Sequence, residues 1–403
     1  MFLRERKLPF KTVIKLLLKK GVKPLQLILN EWTDQLDYQI TASALSQAKN
    51  KLKHTVFIEL LNKCVIDVMY RVGEHERHKG KRLLALDCTT LRLPNSEELR
   101  NEFGILKYMN GKTTRKSNQV EAQASVLYDL LNKIPISGYL FKGRTNEAKT
   151  GLGHLVDLKE DDLLIGDRAY VNYRLFAEII GTKADFLIRC KKGAFEKYHN
   201  LFGETDLKEK TVEVFCPKHL SNKKDLPESL KLRFIRVVLK TGEVEVLVTS
   251  LTDKKMFPHN CFKDLYYKRW GIETYFYTLK SRLILDNFTG KTVNAIKQDF
   301  YATLYISGLE TLLSEEANEE LASRESKYPQ KVNKSIAFHT IKNKVVKLIF
   351  EMPPGFELEI MELLLQNPTL IRGDREKPPR RNSSSNQNRI SAYFQKYSRK
   401  HVY

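Results

Sequence analysis

Two short apolar runs, each closed by an aspartate, constrain this chain most: Arg82-Leu-Leu-Ala-Leu-Asp87 and Leu163-Leu-Ile-Gly-Asp167. Both read as strands. Residues 120–128, 134–141 and 185–189 read as further strands, and residues 173–180 as a helix. Strands with helices between them predict an α/β domain built on a mixed sheet. In an open sheet, functional groups gather at the carboxyl ends of the strands, which makes Asp87 and Asp167 candidates for chemistry.

The segments around this domain differ in character. Residues 10–20, 25–36, 41–52 and 56–69 read as helices, the first ended by Gly21. In the third, Thr41 or Ser43 supplies the N-cap, and Ala44, Ala48 and Leu52 share a face. The opposite face carries Ser46, Gln47, Lys49, Asn50 and Lys53. It is either an ordinary solvated face or one that reaches phosphates and base edges, as the second helix of a helix-turn-helix does. Gln47, Lys49 and Asn50 are therefore candidate DNA contacts. Residues 211–215 and 232–239 alternate like exposed antiparallel strands and interrupt the main pattern from about 194 to 240. Thr241-Gly242 reads as a hairpin turn, and residues 243–251 as a strand returning to the main sheet. Helices are expected over 262–283, 295–320 and 335–352. The last part, 373–403, has lost the apolar density of the rest and mixes Arg and Lys with Tyr393, Phe394, Tyr397 and Tyr403; it is expected to be loose or to lie along nucleic acid. The expected organisation is a helical N-terminal region (1–80), a catalytic domain (81–310) with a mostly β insertion at about 194–240, a helical region (311–372) and a basic tail (373–403).

The formal net charge of +21 over 403 residues speaks to partners rather than to fold, and nucleic acid is the natural polyanion. Five scattered cysteines form no CxxC pair, so neither a zinc knuckle nor a disulfide framework is indicated; the thiols read as reduced and the chain as intracellular. Cys216-Pro-Lys-His219 and His75-Glu-Arg-His78 look like metal half-sites but have no partner pairs. The N-terminus is not a signal peptide, and no stretch has the roughly 20 apolar residues of a membrane span.

The remaining feature is a polar stripe within an aromatic-rich segment. Tyr266, Arg269, Glu273 and Lys280 are spaced by three, four and seven, which puts all four on one face of a helix. A carboxylate flanked by cations and a hydroxyl suits a divalent metal beside a phosphate. Asp87, Asp167 and Glu273 from distant positions could converge on one or two Mg2+ ions, which clamp the attacking and leaving oxygens of a phosphoryl displacement. Taken singly, each acid has a plainer reading: a turn or cap residue for the aspartates, an ion pair with Arg269 for Glu273.

Tyr266-x2-Arg269-x3-Glu273-x6-Lys280 resembles the Tyr-Arg-Glu-Lys motif of bacterial DDE transposases of the IS-four type. Leu86-Asp87-Cys-Thr-Thr-Leu91 resembles that family's first-aspartate block. Ile165-Gly-Asp167-Arg168-Ala169-Tyr170 resembles the second, with Ala169 where glycine is usual. Gly143-Arg-Thr-Asn-Glu147 looks like a connector of that family, and residues 43–52 are similar to a stretch near its N-terminus. The resemblance implies an RNase H-like core with Asp87, Asp167 and Glu273 as metal-binding catalytic triad, and Mg2+ as cofactor with Mn2+ as a substitute. It implies that Tyr266, Arg269 and Lys280 hold phosphates, and that Arg168 either does the same or supports Asp167. The reaction implied is hydrolysis at the ends of an insertion sequence, followed by attack of the freed 3′-hydroxyl on target DNA. The partners implied are double-stranded DNA, as terminal inverted repeats and target, and a second copy of the chain in a synaptic complex; the setting is a bacterial cytoplasm, at the nucleoid. Some members pass through a hairpin in which an aromatic side chain holds a flipped base; Trp270 reads more simply as a core residue. A catalytically inactive, DNA-binding descendant is the alternative, favoured by Ala169 if that turn needs φ > 0. A different RNase H-like nuclease would leave the Tyr-Arg-Glu-Lys spacing unexplained.

Overall fold

A computed structural model describes residues 8–19, 25–33, 39–72, 75–110, 113–203, 206–220, 225–351 and 353–372. The expected tail, 373–403, lies outside the described residues. Five helices come first: α1 (Phe10–Leu18), α2 (Leu25–Thr33), α3 (Ala42–Asn50), α4 (Thr55–Leu61) and α5 (Asp67–Val72), the last two joined by a π-helical turn. Strand β1 (Arg82–Leu93) opens the sheet, followed by α6 (Glu97–Phe103), β2 (Ile105–Asn110), β3 (Thr113–Asp129), β4 (Pro135–Lys142), α7 (Glu147–Leu152), β5 (Asp162–Gly166), α8 (Tyr173–Gly181) and β6 (Asp185–Arg189). Then come α9 (Glu196–His199), β7 (Glu209–Phe215), β8 (Ser229–Val238), β9 (Val244–Thr249), α10 (Cys261–Tyr267), α11 (Trp270–Ser281) and α12 (Val293–Ser323). Helices α13 (Lys334–Val346) and α14 (Phe356–Leu365), with the two-residue strands β10 (Gln330–Lys331) and β11 (Thr369–Leu370), close the described chain.

Local chemistry sets many of these boundaries. Side-chain oxygens of Thr41, Ser96, Asn146, Asn172 and Thr292 accept backbone N–H groups at the starts of α3, α6, α7, α8 and α12. Each satisfies a donor that the first helical turn leaves open. Of the two caps expected for α3, Thr41 is the one used.

Nine strands form one sheet in the order β2-β3-β1-β5-β6-β9-β8-β7, with β4 also paired to β3. Strands β1, β3 and β4 form antiparallel pairs in turn, β5 and β6 run parallel to β1, and β9 returns antiparallel to β6. The stretch expected as a mostly β insertion, about 194–240, carries β7 and β8, which with β9 extend the sheet edge beyond β6.

The sheet is covered on both faces, and strand periodicity sorts the residues. Leu83, Leu163, Ile165, Leu187 and Leu247 pack on one face against Phe262, Leu265 and Tyr266 of α10. Leu84, Leu86, Leu164, Phe186 and Ile188 belong to the larger core on the other face, which also takes in α8, α12 and the N-terminal helices. All five cysteines are free. No helix of the described residues is long and apolar enough to cross a membrane.

Candidate active site

Register brings the two aspartates together. Strands β1 and β5 are parallel, with Leu86 opposite Gly166. The next residue on each is Asp87 and Asp167, so the two occupy matching positions on adjacent strands, which lie about 4.8 Å apart. The row continues into β6, where Ile188 pairs with Gly166 and Arg189 follows. By alternation, Asp87 shares a face with Leu83, Asp167 with Leu163 and Ile165, and Arg189 with Leu187. That is the face α10 packs on, so the charged ends of three strands emerge beneath the helical segment bearing the polar stripe.

That segment is not the single helix expected over 262–283. It divides into α10 and α11 at Lys268 and Arg269, where backbone hydrogen bonds reach three residues back: Arg269 to Tyr266 (3.0 Å), Gly271 to Lys268 (2.9 Å) and Ile272 to Arg269 (3.1 Å). The tightened turn puts Tyr266 at the end of α10 and Glu273 in the first turn of α11. Arg269 Nη2 donates to Glu273 Oε1 at 2.9 Å, and its guanidinium lies 5.0 Å from the Trp270 ring centroid and 5.8 Å from that of Tyr266. Lys280 Nζ, one helical reach further on, donates to the Thr90 carbonyl of β1 at 3.0 Å.

The electrostatics describe a site short of positive charge at one point and of acceptors at another. The Asp87 carboxyl is pushed up to about 6: burial is the main cause, the Cys88 N–H and Arg269 oppose it, and the charges of Asp167 and Glu273 add to it. Asp87 Oδ1 accepts from Cys88 N–H (2.8 Å) and Asp167 Oδ1 from Ala169 N–H (2.7 Å). A further acid belongs to this neighbourhood. Glu147, in the first turn of α7, is pushed up to about 7 by burial and by Asp167 and Asp87, with Lys191 opposing. It closes the Gly143–Glu147 connector, whose role the sequence left open. On the other side, Tyr266 Oη and Arg269 Nε are buried without a hydrogen-bond partner. Burial pushes the Tyr266 hydroxyl up to about 12 against the pull of Arg269 and Arg189. Burial also lowers the Lys280 ammonium, with Asp286 opposing.

Among the described residues, no group of three or more His, Cys, Asp or Glu side chains stands close enough to hold a metal ion as placed. The donor chemistry nonetheless fits a hard cation. The acids are all oxygen ligands, Asp87 is held up by burial with the charges of Asp167 and Glu273 adding to it, and Mg2+ asks for only one or two carboxylates besides water and phosphate. The orphaned Tyr266 hydroxyl and Arg269 Nε are donors waiting for an acceptor, which a phosphate supplies.

The other candidates fall into place separately. Arg168 is exposed, and no ion pair between it and Asp167 is present among the described residues. Ala169 lies in a 3-10 turn and is not among the positive-φ residues, so alanine meets no backbone penalty there. In α3, Gln47 and Asn50 are exposed as expected, but Lys49 is not. It is 3% exposed, and its ammonium donates to the carbonyl and hydroxyl of Thr289, whose hydroxyl in turn meets Asp299 at 2.8 Å. Leu45, Ala48 and Lys49 form the buried stripe, whereas Ala44 faces outward; the inward lysine is possible because Asp299 of α12 is fully buried behind it. Trp270, read as core, is 51% exposed; its ring supports the Arg269 guanidinium from outside instead of filling the interior.

A family model described as "Transposase DDE domain" matches residues 78–307. Over 314 residues the chain is 23% identical to "Transposase InsG for insertion sequence element IS4" of Escherichia coli (strain K12), covering 75% of this chain and 69% of that protein. It is 25% identical over 189 residues to "Putative transposase y4zB" of Sinorhizobium fredii (strain NBRC 101917 / NGR234), covering 44% of this chain and 49% of the relative. Among solved structures it resembles a piggyBac transposase in a synaptic complex with hairpin DNA, at 10% identity and a TM-score of 0.41, over 77% of this chain and 61% of that one. That likeness is too loose to bear on the fold.

Proposed function

Because the chain belongs to the DDE transposase family, of the IS4 type, and is thus a DNA transposase, we propose that the row of strand ends under α10 and α11 is its catalytic centre. The observation that carries the reading is the register match of Asp87 with Asp167, on the face covered by the Tyr266–Lys280 segment. In this reading Asp87, Asp167 and Glu273 hold divalent metal, Mg2+ or in its place Mn2+. Bound there, the metal supplies positive charge to the reacting phosphodiester and to the attacking oxygen.

The protein's own groups do the rest. Tyr266 and Arg269 turn their unpaired donors to the phosphate beside the cut. Lys280, anchored on the β1 backbone, sets a second positive charge further along that strand. Glu273 holds Arg269 in place until DNA arrives. The core strands β4-β3-β1-β5-β6, the first three antiparallel in turn and the last two parallel to β1, support an RNase H-like description, with β7–β9 as the β addition. Gln47 and Asn50 on the exposed face of α3 are proposed DNA contacts; buried Lys49 is not among them. The partners are double-stranded DNA, as the element's terminal repeats and its target, and a second copy of the chain that pairs two ends.

The test is cleavage of labelled DNA carrying the element's own flanking ends, with Mg2+ or EDTA, alongside Asp87→Ala. Cutting at the terminus that needs both metal and Asp87 supports the reading. Tight, metal-independent end binding without cutting overturns it in favour of an inactive binder.

A further inference from the structure

A second cationic feature begins where the carboxylates end. A groove of about 810 Å3 opens beside Asp167, lined by Arg168, Arg189, Lys191, Lys192, Phe202 and Glu245 among others. Its cations come from two neighbouring strand ends: Arg168 follows Asp167 after β5, and Arg189, Lys191 and Lys192 lie at and just beyond the end of β6. Arg189 is the next member of the row that holds Asp87 and Asp167, so the groove and the catalytic face share a wall.

The cations are not equally committed. Arg189 pairs with Glu245 at 2.5 Å. The guanidinium of Arg168 and the ammonium groups of Lys191 and Lys192 make no hydrogen bond or ion pair among the described residues, and all three side chains are exposed. Glu243 is the other acid in the lining and Glu147 lies within electrostatic reach of Lys191, so four cations face three acids, one of which is already paired. Phe202 is half-buried in the wall, with its ring 5.8 Å from that of His199.

Shape chooses between nucleic-acid forms. A duplex is a convex cylinder and is read by an element that protrudes into a groove about 12 Å wide. A recess with loose cations and an aromatic in its wall suits a strand whose bases are unpaired. We propose that this groove holds a single-stranded segment of DNA leaving the reacting phosphodiester, its phosphates on Arg168, Lys191 and Lys192 and a base against Phe202. The inference rests on the transposase reading above, and extends it to a site separate from the Tyr266–Arg269–Lys280 donors.

Binding without cleavage tests it. The full-length chain is titrated in EDTA, over a salt series, with a fluorescein-labelled oligothymidylate and with a labelled duplex of equal length. In Lys191→Gln/Lys192→Gln, the slope of log affinity against log salt should become shallower by about 1.4 on the single strand, at about 0.7 per lost phosphate contact. The duplex slope should not change. Lys191→Arg/Lys192→Arg should keep the wild-type slope. Phe202→Leu, which keeps an apolar side chain in the wall but removes the ring, should weaken single-strand binding about tenfold with the slope intact. An unchanged single-strand slope in the Gln pair overturns the proposal, as does an equal loss on duplex. Wild type that binds duplex but not the single strand sinks the groove alone; wild type that binds neither sinks the transposase reading with it.

Discussion

Lys49 and Arg269 are two buried cations on two helical segments, and their surroundings are opposites. Lys49 donates to Thr289 and, through it, faces the fully buried Asp299; Gln298, next along α12, donates to the Lys49 and Leu52 carbonyls. Burial lowers the Lys49 ammonium and the charge of Asp299 opposes that shift. Arg269 is about as buried, yet it has one partner, Glu273, whose side chain is 41% exposed, and its Nε has none. A polar group buried with its partners supplied holds the fold together; the unpaired Arg269 Nε is, in the reading above, left for a partner from outside the chain. Burial alone does not separate these two cations. The count of their satisfied donors does.

The largest expected effect would break the comparison at the Arg269 end. Glu273→Gln should lower terminal cleavage at least about 100-fold, since even groups that only support a metal ligand cost 10–100-fold. End binding should stay near wild type; a Glu273→Gln variant that still cuts would remove Glu273 from the centre. Next comes stability. Lys49→Met strands Asp299 and should cost roughly 3 kcal/mol, read as a lower midpoint in urea. Arg269→Met leaves only a half-exposed glutamate behind and should stay within about 1 kcal/mol of wild type. Equal losses in the two variants would erase the distinction. A smaller effect sharpens it: Arg269→Ala and Lys280→Ala should each reduce the salt slope of duplex end binding by about 0.9, whereas Lys49→Met should not. The smallest concerns a third buried group of the satisfied kind. His154, 3.0 Å from Ser125 and 2.8 Å from Ser137, is held down to about 3 by burial, against an ordinary 6.5. The unfolded chain takes the proton first on acidification, so this group's contribution to stability is lost as pH falls from 6.5 toward 3. His154→Gln should flatten that part of the Tm–pH profile; an unchanged profile would place the acid sensitivity elsewhere.

What could be read from the sequence was whatever lies in short windows. Apolar runs ending in Asp87 and Asp167 announced strand ends, and the spacing of Tyr266, Arg269, Glu273 and Lys280 announced a common face. The break at Lys268–Arg269 was hidden because steps of three and four fit a tightened turn as well as an unbroken helix. The inward Lys49 was hidden because its compensating acid, Asp299, lies 250 positions later, and a lysine on an amphipathic helix otherwise belongs to the solvent. Trp270 looked like core because large aromatics usually are, and only the guanidinium beside it explains its exposure. Alternation in 211–239 correctly gave strands, but not that they join the main sheet, which is a matter of long-range pairing. Glu147 was marked only as the end of the Gly143–Glu147 connector; its place among the acids depends on where α7 is docked.

Helix α12 has a consequence for how the molecule handles mechanical load. Its 31 residues span about 46 Å at 1.5 Å per residue. Along that length it meets α1, α3, α4, α6, α11, β4, α13 and α14. It is a single stiff strut to which the segment bearing Gln47 and Asn50, the helix bearing Glu273 and the C-terminal helices are all bolted. A torque applied at α3 would therefore be borne by the same beam that carries α11, instead of being absorbed in a slack joint. A nick in a surface loop would leave the pieces gripping one another, and prying them apart would mean pulling the beam out of all of its sockets.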